Sequence, residues 1–225
     1  KGGRHLVCGE TRSIMEIQEV ENWPDELREQ ARALYECSFP TEELRDFDGL
    51  FERNPSILVA RKGDVLLGFS IFRVLEEASL GYLWYLCVDQ SARGGGIGRQ
   101  LYKRTLDLLK NGNHLKGLIF EVERLDSESH PVYGNPIRRV KFYERLGARL
   151  VLGYDYRQPP IPPYGEVPLQ LMYHPIGGAP SEAELARIVE DFLRWGQGVE
   201  KEVRSRGLRL GCYTDTAGMS ASPQG

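Results

Sequence analysis

The 225-residue chain predicts an α/β (α+β) fold in which a central sheet is flanked by helices. Three observations carry this reading. Segments with strand-like alternation and segments with helical spacing of apolar residues follow one another along the chain. Three strand-like stretches between residues 56 and 88 are joined by short turns, as in a meander. A glycine cluster, Gly94-Gly95-Gly96-Ile97-Gly98, then connects the last of these strands to an amphipathic helix.

The elements follow in order. Residues 1–14 open on Lys and precede any regular pattern, and are expected to be leader or appended sequence. From Ile14 to Val20 apolar and polar side chains alternate, as in a first strand. Pro24-Asp-Glu-Leu opens a helix with acids in its first turn, and a second helix is expected after Thr41-Glu-Glu-Leu44, whose spacing resembles a capping signal. Residues 56–61 and 65–74 form a hairpin around Lys62-Gly63-Asp64, and 80–88 adds the third strand. Beyond the glycines, Ile97, Leu101, Thr105 and Leu108 recur at helical spacing. A strand at 118–122, a helix over 137–146 stopped by Gly147, and strands at 149–156 and 167–173 complete the order β, α, α, β, β, β, α, β, α, β, β. The stretches 124–136 and 158–165, the second with four prolines, read as loops because regular elements resume after each. Ser181-Glu-Ala-Glu184 has capping-box spacing, and Leu185, Ile188, Val189 and Phe192 form one stripe of a terminal helix. That stripe is expected to pack on the body or on a second subunit, as in a homodimer. The expected organisation is one domain over 15–174, a helical extension over 181–205 and a flexible, polar tail over 207–225.

Composition excludes several functions. Lys and Arg number 29 against 32 Asp and Glu, a net charge of −3, which lacks the basic footprint of a nucleic-acid or anionic-membrane partner. The longest apolar run, residues 83–88, has six residues where a membrane span needs ~18. No charged-then-apolar signal opens the chain, so a soluble, cytoplasmic protein is expected. Cys8, Cys37, Cys87 and Cys212 form no CxxC pair and no zinc-like spacing, so they read as reduced thiols and no metal is expected.

A glycine-rich turn from strand to helix suits a phosphate, because its backbone N–H groups can point outward and the helix N-terminus favours negative charge. The Walker pattern needs Gly-Lys-Ser/Thr where this chain has Gly98-Arg99-Gln100, and the dinucleotide pattern G-x-G-x-x-G needs glycine at position 99. On these residues alone, a turn that holds no ligand is the alternative. The run Arg93-Gly-Gly-Gly96-Ile-Gly98, directly after Leu86-Cys-Val88-Asp89, resembles the Q/R-x-x-G-x-G/A pyrophosphate loop of the GCN5-related N-acetyltransferases (GNAT family). Phe142-Tyr-Glu-Arg-Leu-Gly147-Ala148 is similar to the F/L-Y-x-x-x-G-F/A segment on that family's later helix. The resemblance spans roughly residues 14 to 174, with the 124–136 insertion lengthening the interval between the two blocks.

This resemblance implies a mixed, mostly antiparallel sheet of the acyl-CoA N-acyltransferase type, acetyl-CoA as co-substrate, no metal, and an amine as acceptor. It implies that the segment Arg93, Gly94, Gly95, Gly96, Ile97, Gly98 and Arg99 holds the CoA pyrophosphate, with Leu86, Cys87 and Val88 alongside the pantetheine arm. Two central strands would splay after a β-bulge, and an amide of Cys87 or Val88 would polarise the thioester carbonyl. Cys87 itself reads as a small core residue rather than a nucleophile. Tyr143 takes the family's position for the acid near the sulfur, its ordinary pKa of ~10 making it a stored proton; a core aromatic is the alternative. Where some members carry a glutamate before the glycine turn, Tyr82-Leu-Trp84-Tyr85 has no acid. Glu121 and Glu123 on the next strand are the replacement candidates for the base, since period two puts both on one face. A solvent-facing strand edge and a water relay are the alternatives. Asn135 falls one position from the family's pantetheine-contacting Asn, and Arg138 and Arg139 form a solvated face or reach a substrate carboxylate. The loops at 124–136 and 158–165 are expected to line the acceptor mouth, with Tyr133, Tyr154, Tyr156 and Tyr164 giving it aromatic character.

The function expected is transfer of an acetyl group from acetyl-CoA to a primary amine of a small-molecule or peptidic acceptor, by direct attack in a ternary complex. A non-catalytic acyl-CoA-binding module and an acyltransferase with a longer donor are the alternatives. The acidic balance together with Glu121 and Glu123 favours a cationic amine.

Overall fold

A computed structural model describes residues 14–21, 24–112, 114–126 and 135–216. Residues 1–13 of the leader expected over 1–14, Tyr133 and the last nine residues of the tail lie outside the described residues. The elements are β1 (Met15–Glu19), α1 (Asp25–Ser38), β2 (Ser56–Lys62), β3 (Val65–Leu75), β4 (Leu80–Val88), α2 (Ile97–Gly112), β5 (Gly117–Glu123), α3 (Pro136–Glu144), β6 (Arg149–Leu152), β7 (Arg157–Gln158), β8 (Val167–Pro175), α4 (Glu182–Asp191) and β9 (Arg209–Gly211). The strands form one sheet in the order β1-β2-β3-β4-β5-β8-β6-β9, with β7 paired to β8. Among the described residues only β4 and β5 run parallel, so the sheet is mixed and mostly antiparallel, as expected.

Period two divides the core between the two faces of the sheet. In β2, Leu58 and Ala60 pack with Leu101 and Tyr102 of α2, whereas Ile57 and Val59 pack with Ala31 and Tyr35 of α1. In β5 and β8, Leu118, Phe120 and Met172 join the α2–α3 side, while Ile119, Leu171 and Tyr173 meet α4. Helices α2 and α3 therefore cover one face, and α1 and α4 share the other. The stripe Leu185, Ile188, Val189 and Phe192 is buried against the protein's own sheet. At about 1.5–3 kcal/mol for each fully buried apolar side chain, this burial is what holds α4 in place.

Four expectations need correction. No second helix follows α1: Thr41–Glu43 makes a single tight turn, Leu44 is already extended, and the Asp46 side chain accepts from the Gly49 amide at 2.7 Å, bending the chain instead. Local acids here hydrogen-bond backbone groups in competition with a helix. The strand expected over 149–156 stops at Leu152, because Gly153 adopts φ +88° and approaches Gly207 so closely that a Cβ would lie 2.3 Å from the Gly207 carbonyl oxygen. The terminal helix does not reach residue 205; α4 continues through one wider turn, Phe192–Gln197, and ends there. The tail expected from residue 207 begins with Leu208 fully buried and β9 paired to β6, so its first residues belong to the fold.

Candidate active site

The site begins where the sheet comes apart. Strands β4 and β5 pair only over Leu80–Tyr82 and Gly117–Ile119. Leu83 is opposite Phe72 and Tyr85 opposite Ile71, so Trp84 is the extra residue of a β-bulge that turns the rest of β4 away from β5. The Asp89 amide donates to the Leu67 carbonyl at 2.9 Å. Because amides alternate sides along a strand, Cys87 also donates towards β3, while the amides of Leu86 and Val88 face the gap. Of the two amides expected to polarise a thioester, Val88's is the one so placed. Arg93 Nε donates to the Val88 carbonyl at 3.1 Å, fixing the start of the glycine turn to this free edge.

Gly94 and Gly96 adopt φ +87° and +80°, and a Cβ built on either would meet nothing within 4 Å. Conformation rather than crowding demands glycine here, and open space lies over the backbone. The first amides of α2, at Ile97, Gly98 and Arg99, have no partner within the helix and carry its positive dipole end. Leu86, Cys87, Val88, Arg93, Gly94, Gly96, Ile97, Gly98 and Arg99 line one cavity of about 810 Å³, joined by Phe142 and Tyr143 of α3 and by Ser38 and Phe39 at the end of α1. Among the described residues, five arginines, Arg93, Arg99, Arg138, Arg139 and Arg145, and no acid line it. A cleft of this size with exposed amides and guanidinium groups fits a long, polyphosphorylated ligand. Gly95 is the one expected loop residue outside the lining.

Tyr143 packs among Tyr102, Phe120 and Phe142, with ring centroids 5.3, 4.5 and 5.0 Å away. Burial pushes its phenol up to about 12, so it holds its proton at neutral pH. Burial likewise pushes the Cys87 thiol well above its ordinary range, which removes the thiolate a nucleophile would need.

A second, polar pocket of about 50 Å³ opens on the α1–α4 face of the gap and shares Phe39 and Arg139 with the large cavity. Tyr82 and Tyr156 donate to Glu121 at 2.7 and 2.5 Å, and Gln197 Nε2 donates to both Glu121 and Tyr82, at 2.9 and 2.8 Å. Arg45 donates to Gln197 Oε1 at 3.2 Å. Burial raises the Glu121 carboxyl, and the hydrogen bonds of Tyr156 and Tyr82 oppose it. Glu123 pairs with Arg139 at 2.8 Å and is 11% exposed. Glu43, on the tight turn after α1, completes the wall; burial and the neighbouring Glu123 push its carboxyl up to about 8, against Arg139.

Residues 19–148, more than half of the chain, match the model of the Acetyltransferase (GNAT) family. The chain belongs to the GNAT family. A GNAT-family protein from Bacteroides thetaiotaomicron is 26% identical, with a TM-score of 0.62 over 82% of this chain and 99% of that one. Two ligand-bound structures share the GNAT fold. These are yncA from Salmonella typhimurium with its cofactor acetyl-CoA, at 14% identity and TM-score 0.51 over 75% and 97% of the two chains, and an aminoglycoside 6'-N-acetyltransferase complexed with coenzyme A, at 19% and 0.55 over 73% and 99%. No curated protein matches the chain.

In this GNAT protein the expected loop residues other than Gly95 come together with Tyr143 around one cavity, while Glu121 and Glu123 stand across the gap in the other. The two glutamates share a face but not a bond, and the shift at Glu121 comes from burial rather than from Glu123. Arg139 is no solvated residue; it reaches Glu123. Asn135 caps α3 by accepting from the Ile137 amide at 2.8 Å. Of the tyrosines expected at an acceptor mouth, Tyr156 is buried on Glu121 and Tyr154 lies under Lys201. Glu43, Arg45 and Gln197 were missing from the sequence expectation. Each sits in a segment without periodicity, and only the fold brings them to β5. Among the described residues no group of His, Cys, Asp or Glu could hold a metal, and no helix is long and apolar enough to cross a membrane.

Proposed function

We propose that this GNAT protein transfers an acetyl group from acetyl-CoA to a primary amine by direct attack in a ternary complex. The observation that carries the reading is the meeting, at one split between β4 and β5, of an arginine-lined cavity and a glutamate-lined pocket. When bound, acetyl-CoA supplies the acyl thioester. The amides from Gly94 to Arg99, with Arg93, Arg99, Arg138 and Arg145, hold its phosphates, and the free edge of β4 guides the pantetheine arm. The Val88 amide donates to the thioester oxygen as negative charge grows there. Tyr143 keeps its proton until the departing sulfur takes it, and Glu121 and Glu123 draw an ammonium towards the carbonyl from the other face.

Calorimetry should show acetyl-CoA binding, lost in Gly96→Asp, which sets an anion and a side chain against phosphate. A thiol-release screen of polyamines, amino acids, aminoglycosides and peptides should then find turnover with at least one primary amine. A second reading, a CoA-binding module without turnover, draws on the commitment of Glu121 to three donors. Binding without release for any amine would favour it.

A further inference from the structure

We propose that Glu43 is the general base for the acceptor, and that the acceptor presents a primary ammonium to the pocket between Glu43, Glu121 and Glu123. The proposal rests on the N-acetyltransferase reading above. Three carboxyl groups face two arginines, Arg45 and Arg139, in this pocket, so it takes one further positive charge when Glu43 is ionised. A base needs an open lone pair, and the three glutamates differ in this respect. Glu121 accepts from Tyr82, Tyr156 and Gln197, and Oε1 of Glu123 is bound by Arg139. Among the described residues, the Glu43 carboxylate has neither a hydrogen bond nor an ion pair, and Oε2 of Glu123 is buried without a hydrogen-bond partner. These are two acceptors waiting on one donor-rich group. An ammonium offers three N–H donors to these acceptors.

The position of Glu43 is built, not incidental. Tyr85 donates from its hydroxyl to the Glu43 carbonyl at 3.2 Å, and Tyr35 both accepts from the Arg45 amide at 3.0 Å and donates to the Arg45 carbonyl at 3.1 Å. Two core tyrosines thus clamp the turn over the split. The charged and titratable groups facing Glu43 are Glu42 on its own turn, Arg45 just beyond, Tyr82 and Tyr85 from β4, Glu121 and Glu123 from β5, and Arg139 from α3. Burial and the excess of carboxylates lift its carboxyl to about 8, close to the working pH of an efficient base. The ammonium gives one proton to the ionised Glu43, and the freed lone pair attacks the thioester carbon. As the C–N bond forms and the C–S bond breaks, the sulfur takes the Tyr143 proton, and the second proton leaving the nitrogen restores Tyr143. Glu43 returns its proton to solvent, so the balance is one amide, one thiol and one proton.

The test uses the full chain, the best amine from the screen for rates, and methylammonium as the binding probe. Glu43→Gln should lower kcat/KM about 100-fold or more with an unchanged Kd for acetyl-CoA, and abolish the rise of kcat/KM with pH near 8. In ¹³C-glutamate-labelled protein the Glu43 carboxyl, assigned by its loss in that variant, should titrate near 8 and move lower with methylammonium. Turnover and pH limb retained by Glu43→Gln, or a Glu43 carboxyl titrating in the ordinary range of about 4–5, overturns this proposal alone. No turnover by the unmutated chain overturns the acetyltransferase reading and this proposal with it.

Discussion

Tyr143 and Glu43 are both buried acids held in the protonated direction, yet they serve opposite ends of the reaction and have different consequences. Tyr143→Phe removes only the hydroxyl from a ring packed on three aromatics, so the fold should persist. The expected outcome is a fall in kcat of about 100-fold or more with acetyl-CoA affinity unchanged, read by steady-state kinetics beside calorimetry. Glu43 also has a cost in stability. Its folded pKa of about 8 lies above the ordinary ~4.3, so between these values the unfolded chain releases a proton that the folded chain retains. Its contribution is fully present at low pH and is lost as pH rises towards 8. Glu43→Gln should therefore raise Tm relative to the parent at pH 8 and change it little at pH 4, as thermal scans at the two values would show. The glycine turn was legible in the sequence because positive φ selects glycine residue by residue. Glu43 was not, because an ordinary surface-like Thr-Glu-Glu becomes unusual only when residues from 82 to 139 close around it.

At the scale of elements, regular segments with a strong period were readable and irregular ones were not. β2, β3, β4 and α2 lie within a residue or two of their expected places except at the far end of α2, which the spacing left open. By contrast, β9 has three residues, too few for a pattern, and the turn after α4 has no sequence signal of its own. That turn nevertheless delivers Gln197 to Glu121, Tyr82 and Arg45. Gln197→Ala should lower kcat/KM for the acceptor about tenfold, the scale of a hydrogen bond to a charged group, while leaving acetyl-CoA binding intact. The contact of Gly153 with Gly207 joins β6 to the same C-terminal segment. Gly153→Ala faces both positive φ and a backbone clash and should destabilise the protein by about 2 kcal/mol or more, measurable by denaturant unfolding.

For the whole molecule, the family match ends at residue 148, but the half-core on the α4 side is completed by Leu185, Ile188, Val189, Phe192, Val203 and Leu208. Phe192 is fully buried, with ring centroids 5.0 Å from Tyr82 and 6.0 Å from Tyr156. Phe192→Ala should cost about 3–5 kcal/mol and loosen the Glu121 network from behind. The split between β4 and β5 has a kinetic consequence as well. The large cavity and the small pocket are separate spaces that meet at Phe39 and Arg139, so neither substrate has to pass the other, and each product can leave by its own door. Initial rates should give intersecting lines, with free CoA competing against acetyl-CoA alone and raising no KM for the amine. A sheet that fails to pair along half of one strand thereby leaves molecules free to come and go in either order.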